Sequence, residues 1–216
     1  MFIWQIEEYS SVLPLLARRF RANQTDATLR VTKASFGSSP NQHVLLCCPT
    51  RPELRRDTCI FFIHGGGWQH GAPAWFRFVG HFFAKLGFPT LLTGYRLAPA
   101  HRFPAQLEDV DTGLCTGIAM LRNEGVPVNN IIFGGQSAGA HLASLLAFDP
   151  DTGVVPYLQR ESIALKGLLL VGGPLDFSHC GSRRIRKYIG DLMGNTSNWD
   201  QADPIHYIRG DETLPV

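Results

Sequence analysis

Ser137 stands in the centre of Gly135-Gln136-Ser137-Ala138-Gly139, a spacing suited to nucleophilic chemistry. A short apolar run, residues 131–133, precedes it and has the size and composition of a buried parallel strand. Good helix formers follow over residues 138–147. A strand that turns straight into a helix strains the backbone of its middle residue, and flanking glycines let the two elements approach closely. The hydroxyl is then raised at the sheet edge and at a helix N-terminus, where developing negative charge is favoured. The plainer alternative is a Gly-rich turn with a capping serine. The strand before and the helix after favour the nucleophile.

A second constellation lies upstream, at His64-Gly65-Gly66-Gly67-Trp68. It follows the β-rich run at residues 58–63, which predicts a central strand. Successive glycines there have no side chains to pack. They allow backbone N–H groups of Gly65, Gly66 and Gly67 to converge on one point, as an oxyanion requires. A flexible loop is the alternative. His64 leads the donor loop, so its predicted role is to anchor the loop rather than to act as a base.

Other elements must hold these two loops together. Residues 29–36 and 44–48 read as an opening antiparallel hairpin across a Gly-Ser-Ser-Pro-Asn turn. Helices are predicted over residues 75–86, 105–124 and 183–193, and strands over 88–95 and 165–171. Residues 150–161 read as a loop, residues 200–211 as polar and irregular, and Thr213 as the start of one more strand. Strand and helix alternate from Thr58 onward, which predicts an α/β fold with a mostly parallel sheet covered by helices on both faces. Residues 1–24 form a separate helical segment in this reading, with Phe2, Ile3, Ile6, Tyr9, Leu13 and Leu16 at helical spacing. It either packs on the domain or acts as a cap over an acyl pocket.

Composition narrows the function classes. The chain has 216 residues, 44% of them apolar and 18% charged, which suits one globular domain. A net charge of +2 gives no reason to expect nucleic acid or an anionic membrane as partner. The basic run Arg183-Arg184-Ile185-Arg186-Lys187 reads as a solvated helix face. Five cysteines without CxxC or zinc-type spacing read as small buried hydrophobes, which fits a reducing compartment. No run reaches membrane-spanning length, and no basic-then-apolar leader opens the chain. A cytoplasmic location is therefore expected.

Together the motifs resemble the α/β-hydrolase superfamily, in particular the carboxylesterases related to hormone-sensitive lipase. The likeness rests on His64 to Trp68, on Tyr95-Arg-Leu-Ala-Pro99 with Phe103-Pro104 and Glu108-Asp109-Val110, and on Gly135 to Gly139. The resemblance implies a domain over residues 25–216 and Ser137 as nucleophile. It also implies an oxyanion hole from the N–H groups of Gly66, Gly67 and Ala138, an acyl-enzyme intermediate, and neither metal nor organic cofactor. The substrate would be a small-molecule ester with a short acyl chain. Gln136, Ala100 and Ala140-His141 depart from the common family pattern. His-Gly-Gly-x-Trp-Gln and Ser-Ala-Gly-Ala-His-Leu-Ala also resemble arylformamidases, so a formamide substrate stays open.

The acid and base are the part the motifs do not supply. In the family they follow later strands, so the resemblance implies a sheet lacking its last strands and a C-terminally incomplete domain. Asp176, Asp203 and His206 are the in-chain candidates, and His179 and His206 are the histidines that follow Asp176. Without a base the chain would be a catalytically impaired binding or interaction protein. The strand at residues 165–171 would then be an apolar edge, open to pairing with a second copy as a homodimer.

Overall fold

The computed structural model describes residues 28–194 and 199–210. The predicted N-terminal helix and the strand expected from Thr213 lie outside the described residues. Among these residues, six strands form one sheet in the order β1-β2-β4-β3-β5-β6. β1 (Leu29–Ser35) and β2 (His43–Pro49) make the opening hairpin, with Leu29 opposite Pro49 and Ser35 opposite His43. β2 continues antiparallel onto β4 (Thr90–Thr93). β3 (Thr58–Ile63) is central and runs parallel to β4 and to β5 (Asn130–Gln136). β6 (Ala164–Val171) runs parallel to β5 and forms the far edge, where Leu169 and Val171 are 40% and 51% exposed.

Parallel neighbours need long crossovers, and helices provide them. α1 (Arg77–Lys85) joins β3 to β4, and α2 (Ala105–Asn123) joins β4 to β5. α3 (Ala138–Phe148) and α4 (Val154–Arg160) lie between β5 and β6, and α5 (Arg183–Met193) follows the sheet.

The fully buried strands split their side chains by the two-residue period. Leu46, Cys59, Phe61 and Ile63 face a core shared with Leu114 and Ile118 of α2 and Leu142 and Leu146 of α3. Leu45, Cys47, Ile60 and Phe62 face the opposite core, with Phe76 and flanking residues of α1. The α/β architecture with helices on both faces of a mostly parallel sheet is thus the one the alternation predicts.

The structure corrects several boundaries. The predicted helix over 75–86 begins as a tight 3-10 turn, Pro73–Phe76, before α1, and the strand over 88–95 shortens to β4. Residues 150–161, expected to be a loop, contain α4. Its helical signal is only seven residues long and carries Pro156, which a first turn tolerates. What makes it a helix is the burial of Val154 and Leu158, one turn apart. Residues 200–210 are irregular as predicted, built on short turns at Asp200–Ala202 and Pro204–His206.

The loop after β4 is pinned from beneath. Asp109 of α2 is buried and accepts from the Arg96 backbone N–H (2.7 Å), the Arg96 Nε (2.8 Å) and Gln42 Nε2 (2.9 Å). Gln106 donates to the carbonyls of Arg96 and His101, closing the same loop. This explains why the acidic residues after Phe103-Pro104 accompany the Tyr95–Pro99 motif.

Candidate active site

β5 hands over to α3 at Ser137, whose backbone is at φ 53° and ψ −118°. A non-glycine residue in that region is strained, and the surrounding structure must hold it there. Its N–H donates to the Val171 carbonyl at 2.7 Å, tying the bend to the end of β6. The flanking glycines serve close approach. A Cβ on Gly135 would run into the Gly139 backbone, and one on Gly139 would run into the carbonyl of Ile63 at the end of β3.

The glycine loop lies beside this bend. Gly66 and Gly67 have φ of 128° and 61°, and Trp68 follows at 59°. The Gly66 carbonyl accepts from Gln69 and His70, which curls the loop into a turn. Among the described residues, no group accepts from the N–H of Gly66, Gly67 or Ala138. Gly65 sits instead against Gln136, and its carbonyl accepts from His64 Nδ1 at 2.8 Å. His64 is buried and stacked on Tyr95 at 4.3 Å, and burial pushes its pKa down to about 4. A neutral, sequestered ring of this kind anchors the loop.

His141 holds the two loops to the rest of the molecule. Fully buried on α3, it accepts from Trp68 Nε1 at 3.2 Å and donates from Nε2 to the Ala202 carbonyl at 2.6 Å. It stacks on Phe177 at 5.2 Å, and burial lowers its pKa to about 4. Both ring nitrogens are therefore committed to structure. In the sequence His141 was only a departure from the family pattern. Its role depends on Trp68 and Ala202, which approach it only in the folded chain.

A cleft of about 350 Å³ opens over Ser137. Gly67, Trp68, residues 172–176 and 179–181, and Ile185 and Tyr188 of α5 line it with Ser137. The Tyr188 ring lies over Gly67, where an added Cβ would come within 2.9 Å of it. Gln69 donates to Asp191 of α5 at 2.9 Å, and Phe103 N–H donates to the Leu192 carbonyl at 3.0 Å. These bonds fix α5 as a wall of the cleft.

The predicted acid and base candidates separate here. Asp176 lines the cleft and accepts from Ser178 N (2.9 Å), Ser178 Oγ (2.6 Å) and His179 Nδ1 (2.5 Å). Its hydrogen bonds from Ser178 and then His179 hold its carboxyl down at about 2. Asp203 does not line the cleft. It is buried beneath it and accepts from Phe177 N–H at 2.9 Å, and burial raises its pKa. His206 is exposed and faces Asp200 at 3.4 Å. His179, passed over as a base in the sequence, lies in the cleft wall with Asp176. The signal was its position three residues after Asp176 and downstream of Ser137. No three His, Cys, Asp or Glu residues converge as a metal site among the described residues. No helix among them is long and apolar enough to cross a membrane.

A strained serine between strand and helix, beside a glycine turn with open N–H groups, defines a class of fold. The family model for the alpha/beta hydrolase fold matches residues 60–200, and the chain belongs to that family. Its relatives within that fold include deacetylases and esterases. Arylacetamide deacetylase from Mus musculus is 34% identical over 139 residues, covering 59% of this chain and 33% of the relative. Esterase LipC from Mycobacterium tuberculosis is 37% identical over 107 residues, covering 48% of this chain and 26% of the relative. The matched region thus spans about a third or less of these relatives' length. The crystal structure of esterase B from Lactobacillus rhamnosis superposes with a TM-score of 0.73 at 23% identity, covering 97% of this chain and 72% of that one.

Proposed function

We propose that the chain is a serine hydrolase that cleaves small carboxylic esters with short acyl chains. Ser137 attacks the ester carbonyl, and the N–H groups of Gly66, Gly67 and Ala138 receive the negative charge that develops on its oxygen. The alcohol leaves, and water releases the acid from the acyl-serine. The observation that carries this reading is the strained Ser137 backbone beside N–H groups that no described residue uses. N–H groups left without a protein acceptor beside the serine suit an incoming oxyanion. The cleft volume of about 350 Å³ lies near the low end for ligand sites, which supports a small acyl group.

The test is hydrolysis of p-nitrophenyl acetate and butyrate by the wild type and by Ser137→Ala. Turnover by the wild type that disappears in the variant is the expected result. Equal rates in both would refute the assignment. Amide hydrolysis is the second reading, favoured by the name of the mammalian relatives, arylacetamide deacetylase. An N-acetylarylamine or N-formyl aromatic amine cleaved faster than the esters would select it.

A further inference from the structure

We infer that the ring of Tyr188 sets the length of acyl chain that the cleft accepts. The inference rests on the hydrolase reading above and names the residue behind its short-chain preference. Three observations carry it. First, Tyr188, Gly67 and Ser137 line one cleft. The ring lies directly on Gly67, where an added Cβ would stand 2.9 Å from Cδ2, 3.0 Å from Cε2 and 3.2 Å from Cγ. Gly67 is one of the residues whose N–H receives the carbonyl oxygen in that reading. A chain that extends from the carbonyl carbon on this side therefore meets the ring.

Second, much of the remaining wall is low. Gly172, Gly173 and Gly181 carry no side chain, and Trp68, though bulky, is only 2% exposed. Ile185 lines the cleft from the same helix, one turn before Tyr188. Third, the ring cannot retreat with its helix. Ile189, Leu192 and Met193 bury the other side of α5 in the core. Asp191 accepts from Gln69 Nε2 at 2.9 Å and from Lys187 Nζ at 2.6 Å, and the Leu192 carbonyl accepts from Phe103 N–H. Gln69 lies two residues beyond Gly67, so that bond ties α5 to the glycine loop itself.

The order of the reaction decides which part of the ester meets this wall. The alcohol must leave before water enters, so it needs the open mouth of the cleft. The acyl group stays bonded to Ser137 through both steps and is left with the end walled by Tyr188. Each added methylene there presses on a ring whose packing leaves little room to yield. No described residue bonds the Tyr188 hydroxyl, so the selection resides in the bulk of the ring.

The experiment compares the wild type with Tyr188→Ala, Tyr188→Leu, Tyr188→Phe, Tyr188→Trp and Ser137→Ala. The first readout is kcat/KM for p-nitrophenyl acetate, butyrate, hexanoate and octanoate, each divided by the acetate value of the same variant so that a general loss cancels. The second is the rate at which fluorophosphonates with ethyl or octyl chains label Ser137. In the wild type the ratio should fall beyond butyrate. In Tyr188→Ala the octanoate ratio should rise about tenfold or more, and the octyl probe should gain on the ethyl probe. Tyr188→Leu should move the same way and serves where alanine loosens α5. Tyr188→Phe should keep the wild-type ratios within about twofold, and Tyr188→Trp should lower the butyrate ratio.

If the Ala and Leu variants keep the wild-type ratios while acetate turnover still depends on Ser137, Tyr188 is not the limit and the serine hydrolase stands. A Tyr188→Phe variant that shifts as far as Tyr188→Ala puts the selection in the hydroxyl and overturns the inference. So does a gain in Tyr188→Ala confined to acetate esters of longer alcohols. A wild type that neither turns over esters nor labels at Ser137 overturns the inference and the hydrolase reading together.

Discussion

His141 offers the sharpest test of how the site is held. Its ring joins Trp68 of the glycine loop to the Ala202 carbonyl, and all three residues are buried. His141→Phe preserves most of the volume but strands the Trp68 Nε1–H and the Ala202 oxygen without partners. Each stranded buried group costs about 1–3 kcal/mol, so the variant should lose about 2–6 kcal/mol. For a domain of this size that corresponds to a Tm lower by about 4–24 °C. His141→Gln can still donate to Ala202 and accept from Trp68, so it should lose much less at about pH 7.5.

The two variants also differ from the wild type in their response to acid. Burial depresses the folded pKa of His141 and of His64 to about 4, below the ordinary imidazole value of about 6.5. Each ring therefore takes up a proton on unfolding between those values. The stability it contributes is full above about pH 6.5 and is lost as pH falls toward 4. The slope is about 1.4 kcal/mol per pH unit for each ring, or about 3 kcal/mol per unit for both. His141→Gln should remove one of the two. Urea unfolding followed by tryptophan fluorescence at a series of pH values measures both effects. A His141→Phe variant as stable as wild type, or a His141→Gln variant with the wild-type pH slope, would refute the reasoning.

Two further outcomes follow from the packing. Gly139→Ala would drive a Cβ to within 2.6 Å of the Ile63 carbonyl carbon and 2.7 Å of the His64 oxygen, so α3 must move off β3. A loss of about 3 kcal/mol or more is expected in thermal melts, with esterase activity falling alongside. Among the described residues, Asp109→Ala leaves the Arg96 guanidinium with only the exposed Glu108 as a charged partner. Because Arg96 is a quarter exposed, solvent offsets part of the loss, and about 2–3 kcal/mol is expected by denaturant titration.

The fold was largely legible because its signals are local. Residues 58–63 and 183–193 are bounded as the apolar and helical patterns predict, since burial on both faces and a strongly amphipathic period leave little choice. The α4 helix was not legible. Seven residues with a proline hold too weak a local preference, and the pockets that bury Val154 and Leu158 exist only after folding. In the site, Ser137 and the glycine loop announced themselves because glycine spacing encodes backbone strain and close approach.

What the sequence determined alone is therefore the class of fold and the two backbone devices, the raised serine and the glycine turn. The partners of the histidines were decided by tertiary structure. His64, His141, His179 and His206 are chemically identical in the chain, and each has a different fate in the fold. Burial silences the first two, while an exposed pair with Asp200 occupies the last. Only the placement of residues 172–181 against the Ser137 bend puts an imidazole and its carboxylate in the cleft. That placement depends on contacts far apart in sequence, which no local pattern records.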